Sequence, residues 1–246
     1  MVRKTASSNA SGPAAAAAIA DGPAATRKRA RCTKIIECED DIAAGVRSLR
    51  RRCKIMRAVH NATGDPPLRR RAKGFEGLAR IIVGQQLSVS SAAAIWGRTF
   101  DLVTPFEPAR LQCLGDKRLR AAGLSGRKIK TLRGLCDAVS KDGLDLDNMD
   151  DFSDAQVHAQ LTHVNGIGPW TADIYLMFCL GRADAWAPGD LALQNAVQQA
   201  MQLAERPTLL ELDEIAESWR PWRSIAARLL WSYYALTKRL KSGTPL

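Results

Sequence analysis

The stretch Leu161-Thr-His-Val-Asn-Gly-Ile-Gly-Pro-Trp-Thr-Ala-Asp173 places two glycines between segments of helical character. We predict that one helix ends near Thr162 and that Pro169 begins the next. Gly166 and Gly168 would form the tight turn between them, because glycine permits a positive φ and lets another backbone approach. The amide N–H groups of such a turn, with the positive end of the following helix dipole, suit a phosphate. A purely structural turn between two helices explains the same glycines.

A single aspartate follows this hairpin in the segment Trp186-Ala-Pro-Gly-Asp190-Leu-Ala-Leu. Asp190 precedes an apolar helical segment, and capping of that helix alone would explain an Asp there. The residue lies 22 positions after Gly168. A helix of about 13 residues is roughly 20 Å long, so the loop that follows it can return Asp190 to the hairpin.

Most of the chain after Asp40 has apolar residues at three- and four-residue spacing, as in Leu78, Ile81 and Ile82. This spacing indicates amphipathic helices, and no run of alternating apolar and polar residues predicts a sheet. We expect an all-α fold of two helical lobes with a cleft between them. The predicted helices cover about 40–60, 74–84, 88–102, 116–123, 126–141, 153–162, 169–181, 190–204, 211–219 and 222–240.

The composition is strongly basic, with a formal net charge of +11 and a pI near 9.7. Such a charge indicates a polyanionic partner, either nucleic acid or an anionic membrane surface, although ordinary basic proteins share it. No stretch reaches the roughly 18–20 apolar residues of a membrane span. The 6 cysteines form no C-x-x-C pair, so we expect reduced thiols in an intracellular protein and no metal cluster.

Residues 1–34 are rich in Ala, Ser, Gly and Pro and end in the basic run Arg27-Lys28-Arg29-Ala30-Arg31. This composition buries too little apolar area to order itself, so we predict a flexible tail. The tail would touch DNA, act as a targeting signal, or simply be solvated. The folded domain is expected at 35–246.

Taken together, the hairpin sequence and the following Pro-Gly-Asp resemble the helix-hairpin-helix, Gly/Pro-rich, aspartate superfamily of base-excision glycosylases. Within it, the chain is similar to the DNA-3-methyladenine glycosylase II branch. The similarity spans about 65–240 and implies a DNA-binding helix-hairpin-helix at about 153–181 beside a catalytic cleft. Three further segments agree with it: Ile82-Val-Gly-Gln-Gln-Leu-Ser88, Leu124-Ser-Gly-Arg-Lys-Ile-Lys130 and Trp219-Arg-Pro-Trp-Arg-Ser224.

The resemblance implies that Asp190 is the catalytic carboxylate. Alkylation at N3 or N7 makes a purine cationic and a good leaving group, so a nearby anion that stabilises the oxocarbenium-like sugar suits the reaction. Trp170 stands where bifunctional relatives carry a Schiff-base lysine, which implies a monofunctional enzyme. An aromatic ring there can also stack on a flipped, electron-poor base. Trp231 and Tyr175 are further pocket candidates, for which core packing is the rival interpretation.

The resemblance also implies DNA contacts outside the hairpin. Gln86, with Leu87 beside it, falls where the family inserts a side chain into the gap left by the flipped nucleotide. Gln85 and Ser88 would contact the DNA backbone or the opposite strand, or belong to a helix-capping network. The basic residues that open the helix after Gly126 would contact DNA phosphates, with an affinity that falls as salt rises: Arg127, Lys128 and Lys130. A solvated helix face explains these three residues equally well.

Relatives hold a monovalent cation on hairpin carbonyls, which implies that the carbonyls of Thr162, Val164 and Ile167 bind Na⁺ or K⁺ here. No other cofactor is expected. Only about 49 residues separate the tail from Gly84, so we expect a helix-only architecture without the antiparallel-sheet domain of the resembled enzyme.

The predicted function is therefore a monofunctional glycosylase for alkylated purines in damaged double-stranded DNA. Two alternatives remain: a glycosylase for a deaminated or mismatched base, and a helix-hairpin-helix protein that binds DNA without catalysis. Which purines are accepted among 3-methyladenine, 7-methylguanine, hypoxanthine and ethenoadenine stays open. We expect a monomer without a membrane partner. A cytoplasmic and nucleoid location would apply in a bacterium, and a nuclear or organellar one if the tail is a signal.

Overall fold

A computed structural model describes residues 34–242 and the side chains as far as Leu240. The predicted tail, residues 1–34, lies outside the described residues except for Lys34. Residues 34–242 form helices α1 (Glu39–Arg52), α2 (Lys54–Thr63), α3 (Gly74–Gly84), α4 (Val89–Leu102), α5 (Pro108–Cys113), α6 (Asp116–Ala121), α7 (Gly126–Ser140), α8 (Asp154–Thr162), α9 (Pro169–Phe178), α10 (Leu191–Met201), α11 (Leu209–Glu217) and α12 (Arg223–Ser242), with a short 3-10 turn at Met149–Asp151.

The helices pack as two lobes, which confirms the predicted all-α architecture. In the terminal lobe, α1, α2, α10 and α12 contact one another. In the middle lobe, α3 packs on α4, α7 and α9, while α7 also contacts α5 and α6, and α8 pairs with α9. The chain crosses between the lobes twice, once from α2 to α3 through residues 64–73 and once from α9 to α10 through residues 179–190.

Local sequence signals explain where several helices begin. Ser153 and Thr208 form capping boxes with the residues three positions later, and Pro169 occupies the first turn of α9. These residues satisfy or remove backbone donors that would otherwise lack a partner. Extended backbone within residues 34–242 pairs only at the antiparallel bridge between Ile35 and Arg182.

Two helix predictions need correction. The helix expected at 40–60 is two helices, since Cys53 adopts an extended conformation with φ −128° and ψ 116°. No Gly or Pro marks that break. Helix α5 was not predicted, although Pro108 stands in its first turn. In the part of the chain that is described, no helix combines the length and the apolarity needed to cross a lipid bilayer.

Candidate active site and DNA-binding hairpin

Asp190 lies where the two lobes meet and accepts three hydrogen bonds. As the N-cap of α10, its Oδ1 accepts the backbone N–H of Leu193 at 3.0 Å. Trp231 of α12 donates its Nε1–H to the same oxygen at 3.0 Å, and Trp170 of α9 donates to Oδ2 at 2.8 Å. All three donors are N–H groups, which suits an ionised carboxylate because it can only accept hydrogen bonds. The structure thus brings together three residues predicted separately, with one tryptophan from each lobe.

The two tryptophans are half-buried, so part of each residue remains accessible. The Trp231 ring also stacks on Phe178, with 5.6 Å between ring centroids and 30° between planes. Sequence reasoning did not single out Phe178, which lies in a continuous apolar segment of α9. The junction therefore combines a fixed carboxylate with aromatic rings. Aromatic rings suit a flat aromatic ligand, and a fixed carboxylate suits a positive charge that develops next to it.

Replacing Trp231 by Phe tests whether the indole N–H orients Asp190. The substitution keeps an aromatic ring on Phe178 but removes one donor to the carboxylate. A hydrogen bond to a charged group contributes about 1.5–3 kcal/mol, so we expect base release to slow by roughly tenfold or more. Single-turnover assays on methylated DNA measure this. Trp96→Phe, in the core of the middle lobe, is the control and should leave the rate unchanged; equal rates for both variants would refute the orienting role.

Tyr175 is not a pocket residue, which corrects the prediction. Its side chain is fully buried and its hydroxyl accepts the backbone N–H of Gly74 at 3.0 Å. Burial raises the pKa of the Tyr175 hydroxyl well above its ordinary value and keeps the group neutral. The reason is helical geometry: five residues at about 100° each rotate Tyr175 roughly 140° away from Trp170.

The two hairpin glycines differ in backbone conformation and in the space around their Cα atoms. Gly166 has φ +89°, and a Cβ there would lie 2.0 Å from Oγ1 of Thr131. Gly168 has an ordinary extended conformation with φ −95° and ψ 177°, and a Cβ there would meet nothing within 4 Å. Of the two glycines, only Gly166 thus uses the positive φ that glycine permits. Gly168 is open on its outer side, as a surface that receives another backbone must be.

The Gln-Gln segment after α3 divides into an anchored and an exposed residue. Nε2 of Gln85 donates to Oγ1 of Thr171 at 2.8 Å, which ties the end of α3 to the hairpin and occupies the side chain predicted to contact DNA. Gln86 is exposed and has φ +56°. A left-handed conformation costs a residue other than glycine about 1–2 kcal/mol and often marks a functional position. Ser88 is the N-cap of α4, as the alternative interpretation held, and Leu87 is exposed.

The basic residues at the start of α7 also differ: one is bound to the protein's own backbone and two are exposed. Nζ of Lys128 donates to the carbonyl of Val83 at 2.7 Å, near the C-terminus of α3, and burial lowers its pKa. Lys128 thus stabilises the protein's own backbone, which argues against its predicted phosphate contact. Arg127 and Lys130 are exposed and stay predicted phosphate ligands.

Known proteins are similar to this chain in sequence and in fold. The profile of the family described as "HhH-GPD superfamily base excision DNA repair protein" matches residues 79–221. DNA-3-methyladenine glycosylase 1 of Schizosaccharomyces pombe is 28% identical over 175 residues, which cover 70% of this chain and 77% of that protein.

Two solved structures are similar in fold. The S. pombe 3-methyladenine DNA glycosylase in complex with abasic DNA has a TM-score of 0.72 at 26% identity, over 76% of this chain and 95% of that one. A DNA-3-methyladenine glycosidase from Bacillus halodurans has a TM-score of 0.68 at 30% identity, over 79% of this chain and 91% of that one.

Proposed function

Because this chain belongs to the HhH-GPD superfamily of base excision DNA repair proteins, we propose that it is a monofunctional DNA glycosylase that removes alkylated purines from duplex DNA. The observation that carries this proposal is the carboxylate of Asp190, held by the indole N–H groups of Trp170 and Trp231 between the lobes. Its matched relatives are named for 3-methyladenine, which supports alkylpurines over deaminated or mismatched bases.

The reaction needs little acid catalysis. The C1′–N bond of a cationic alkylpurine breaks with both electrons passing to the base, which leaves neutral, while positive charge develops on the sugar. The fixed carboxylate of Asp190 stabilises that charge. Water then adds its oxygen to C1′, and one proton is released, first to Asp190 or directly to solvent. The product is an abasic site and a free base.

The absence of a nucleophilic amine at the hairpin supports hydrolysis without strand cleavage. Trp170 is occupied as a donor to Asp190 and offers no amine for a Schiff base. We therefore expect free methylpurine from methylated DNA, no covalent adduct under borohydride, and strand breaks only after alkali. Chromatography of the released bases and gel electrophoresis of the DNA provide the measurements. Binding without any base release would instead support a non-catalytic DNA-binding protein, and a trapped adduct would refute hydrolysis alone.

The hairpin fits the proposed monovalent cation. Helix α8 ends at Thr162, and carbonyls in the last turn of a helix lack helical partners. The carbonyl of Val164 accepts one hydrogen bond, from Ile167 N–H at 3.0 Å, and retains a second lone pair. We propose that Thr162, Val164 and Ile167 hold Na⁺ or K⁺ there and that no divalent metal takes part, so EDTA should not slow base release.

The proposed partner is damaged double-stranded DNA, bound by a monomer inside the cell. The hairpin amides near Gly168, the exposed Arg127 and Lys130, and Gln86 as the wedge would contact it. The formal net charge of +11 supports a polyanionic partner.

A further inference from the structure

Arg71 and Arg228 both lie against the ring of Phe178, which stacks on Trp231, and neither arginine forms an ion pair among the described side chains. The guanidinium carbon of Arg228 lies 4.4 Å from the centroid of the Phe178 ring, and that of Arg71 lies 5.5 Å from it. Arg69, Arg70 and Arg80 are close enough to act on this group electrostatically. Within residues 34–242, the carboxylates that form ion pairs with arginine do so with other arginines. The positive charge of Arg71, Arg228 and their arginine neighbours is therefore not compensated by an ion pair.

Arg228 is buried to an unusual degree for a cation. Its side chain is 3% exposed, and its one hydrogen bond runs from Nη2 to the carbonyl of Met177 at 3.2 Å. Its Nε and Nη1 are buried without a partner in the protein, as is Nη1 of Arg70. Burial, and then the neighbouring arginines, lower the pKa of Arg228 to about 10, so it remains charged at neutral pH. A buried cation without a counter-charge destabilises a fold, and such groups are concentrated at functional sites.

The path of the chain places Arg71 at the same junction as Asp190. Residues 64–73 connect α2 in the terminal lobe with α3 in the middle lobe, and Arg71 donates its backbone N–H to the carbonyl of Phe178 at 3.0 Å. A continuous series of contacts then runs from Asp190 to Trp231, from Trp231 to Phe178, and from Phe178 to Arg71 and Arg228. One negative charge and two positive charges are thus linked through two stacked rings.

We propose that Arg71 and Arg228 supply a positive field on the base side of the site, opposed to Asp190 on the sugar side, which drives electrons from the glycosidic bond into the leaving purine. This inference rests on the proposed function. Breaking the C1′–N bond lowers the net charge of the base by one, whether it starts cationic or neutral. A fixed cation beside the base therefore stabilises the transition state relative to the bound substrate. The charge of Arg228 is weakly screened because its side chain is buried, whereas that of the half-buried Arg71 is partly screened.

This arrangement has a distinctive consequence for a cationic substrate. The arginines repel the positively charged base in the bound complex, and that repulsion disappears as the bond breaks. Their charge thus weakens substrate binding and speeds the chemical step. A residue that merely supports Phe178, or one that contacts a DNA phosphate, has no reason to affect binding and rate in opposite directions.

Arg71→Met is the direct test, because Arg71 is only half-buried and Met preserves most of its length. Single-turnover release of 7-methylguanine from duplex DNA, measured over a range of enzyme concentrations, gives the maximal rate and the half-saturating concentration. Because one partly screened charge is lost, we expect the maximal rate to fall about tenfold and the half-saturating concentration to fall as well. Arg71→Lys, which keeps the charge, should recover most of the rate.

The exposed Arg110 on α5 offers a matched loss of charge far from the site, and Arg110→Met should leave the maximal rate unchanged. An unchanged rate for Arg71→Met overturns the inference. A slower rate with weaker binding also overturns it, because that result indicates a structural role. Weaker binding at the normal rate overturns it as well, because that result indicates a phosphate contact. Failure of the wild-type protein to release any methylated base would instead refute the proposed function. Circular dichroism of each variant checks that it is folded.

Discussion

Asp190→Asn should keep the fold and the affinity for plain duplex while base release falls by at least about 10²–10³-fold, the usual effect of losing a preorganised electrostatic group at a reacting centre. Asn is also a good N-cap, so its Oδ1 can still accept the N–H of Leu193 that starts α10. The amide NH₂ of Asn, however, would then replace Oδ2 and face the indole N–H of Trp170, since Oδ1 accepts from both Leu193 and Trp231. One donor then loses its partner, at about 1–3 kcal/mol of folding stability.

Base release from methylated DNA under single-turnover conditions measures the first effect, and thermal unfolding measures the second. Asp101→Asn removes an exposed carboxylate from α4 and is the control for charge alone. Near-normal turnover by Asp190→Asn would contradict the mechanism, because the remaining residues of the junction offer no second carboxylate bonded to both tryptophans.

Part of this site could be predicted because each residue has a strong local signal. Asp190 follows Pro-Gly at the start of an apolar helix, and Trp170 follows the hairpin glycines. The sequence did not indicate that both tryptophans donate to the same carboxylate, since Trp231 lies 41 positions after Asp190 in the chain. Such a contact depends on how α12 packs against α10, which is a property of the whole fold.

The errors have physical causes of the same kind. Cys53 ends α1 without a Gly or Pro because α1 and α2 both pack in the terminal lobe, and tertiary packing overrides local preference there. Lys128 and Gln85 have the polarity of DNA ligands, but the structure uses both to join α3 to its neighbours. Arg228 gave one signal that was missed: it stands three positions after Ile225 on the apolar stripe of α12, where a charge is unusual.

The hairpin offers a matched pair of substitutions, because Gly166 and Gly168 differ in conformation and surroundings. We expect Gly166→Ala to lower the free energy of unfolding by about 2–4 kcal/mol, the sum of a left-handed conformation and an overpacked contact. The added Cβ would lie 2.0 Å from Oγ1 of Thr131 at φ +89°. In a protein of this size, that loss lowers the melting temperature by roughly 5–15 °C. Adding Thr131→Ala to Gly166→Ala should restore only the part of the free energy of unfolding that the steric contact removes.

Gly168→Val should instead fold normally, since its backbone is extended and a Cβ meets nothing within 4 Å. Its side chain would stand on the surface at which the hairpin amides are proposed to receive a DNA phosphate. We therefore expect binding to weaken by about tenfold for methylated and plain duplex alike, with the preference for lesions preserved, since phosphate contacts position DNA without distinguishing bases. Fluorescence anisotropy with both duplexes, with circular dichroism as the folding check, provides the measurement. Normal binding of plain duplex by folded Gly168→Val would mean that the hairpin is a structural turn and that DNA docks elsewhere.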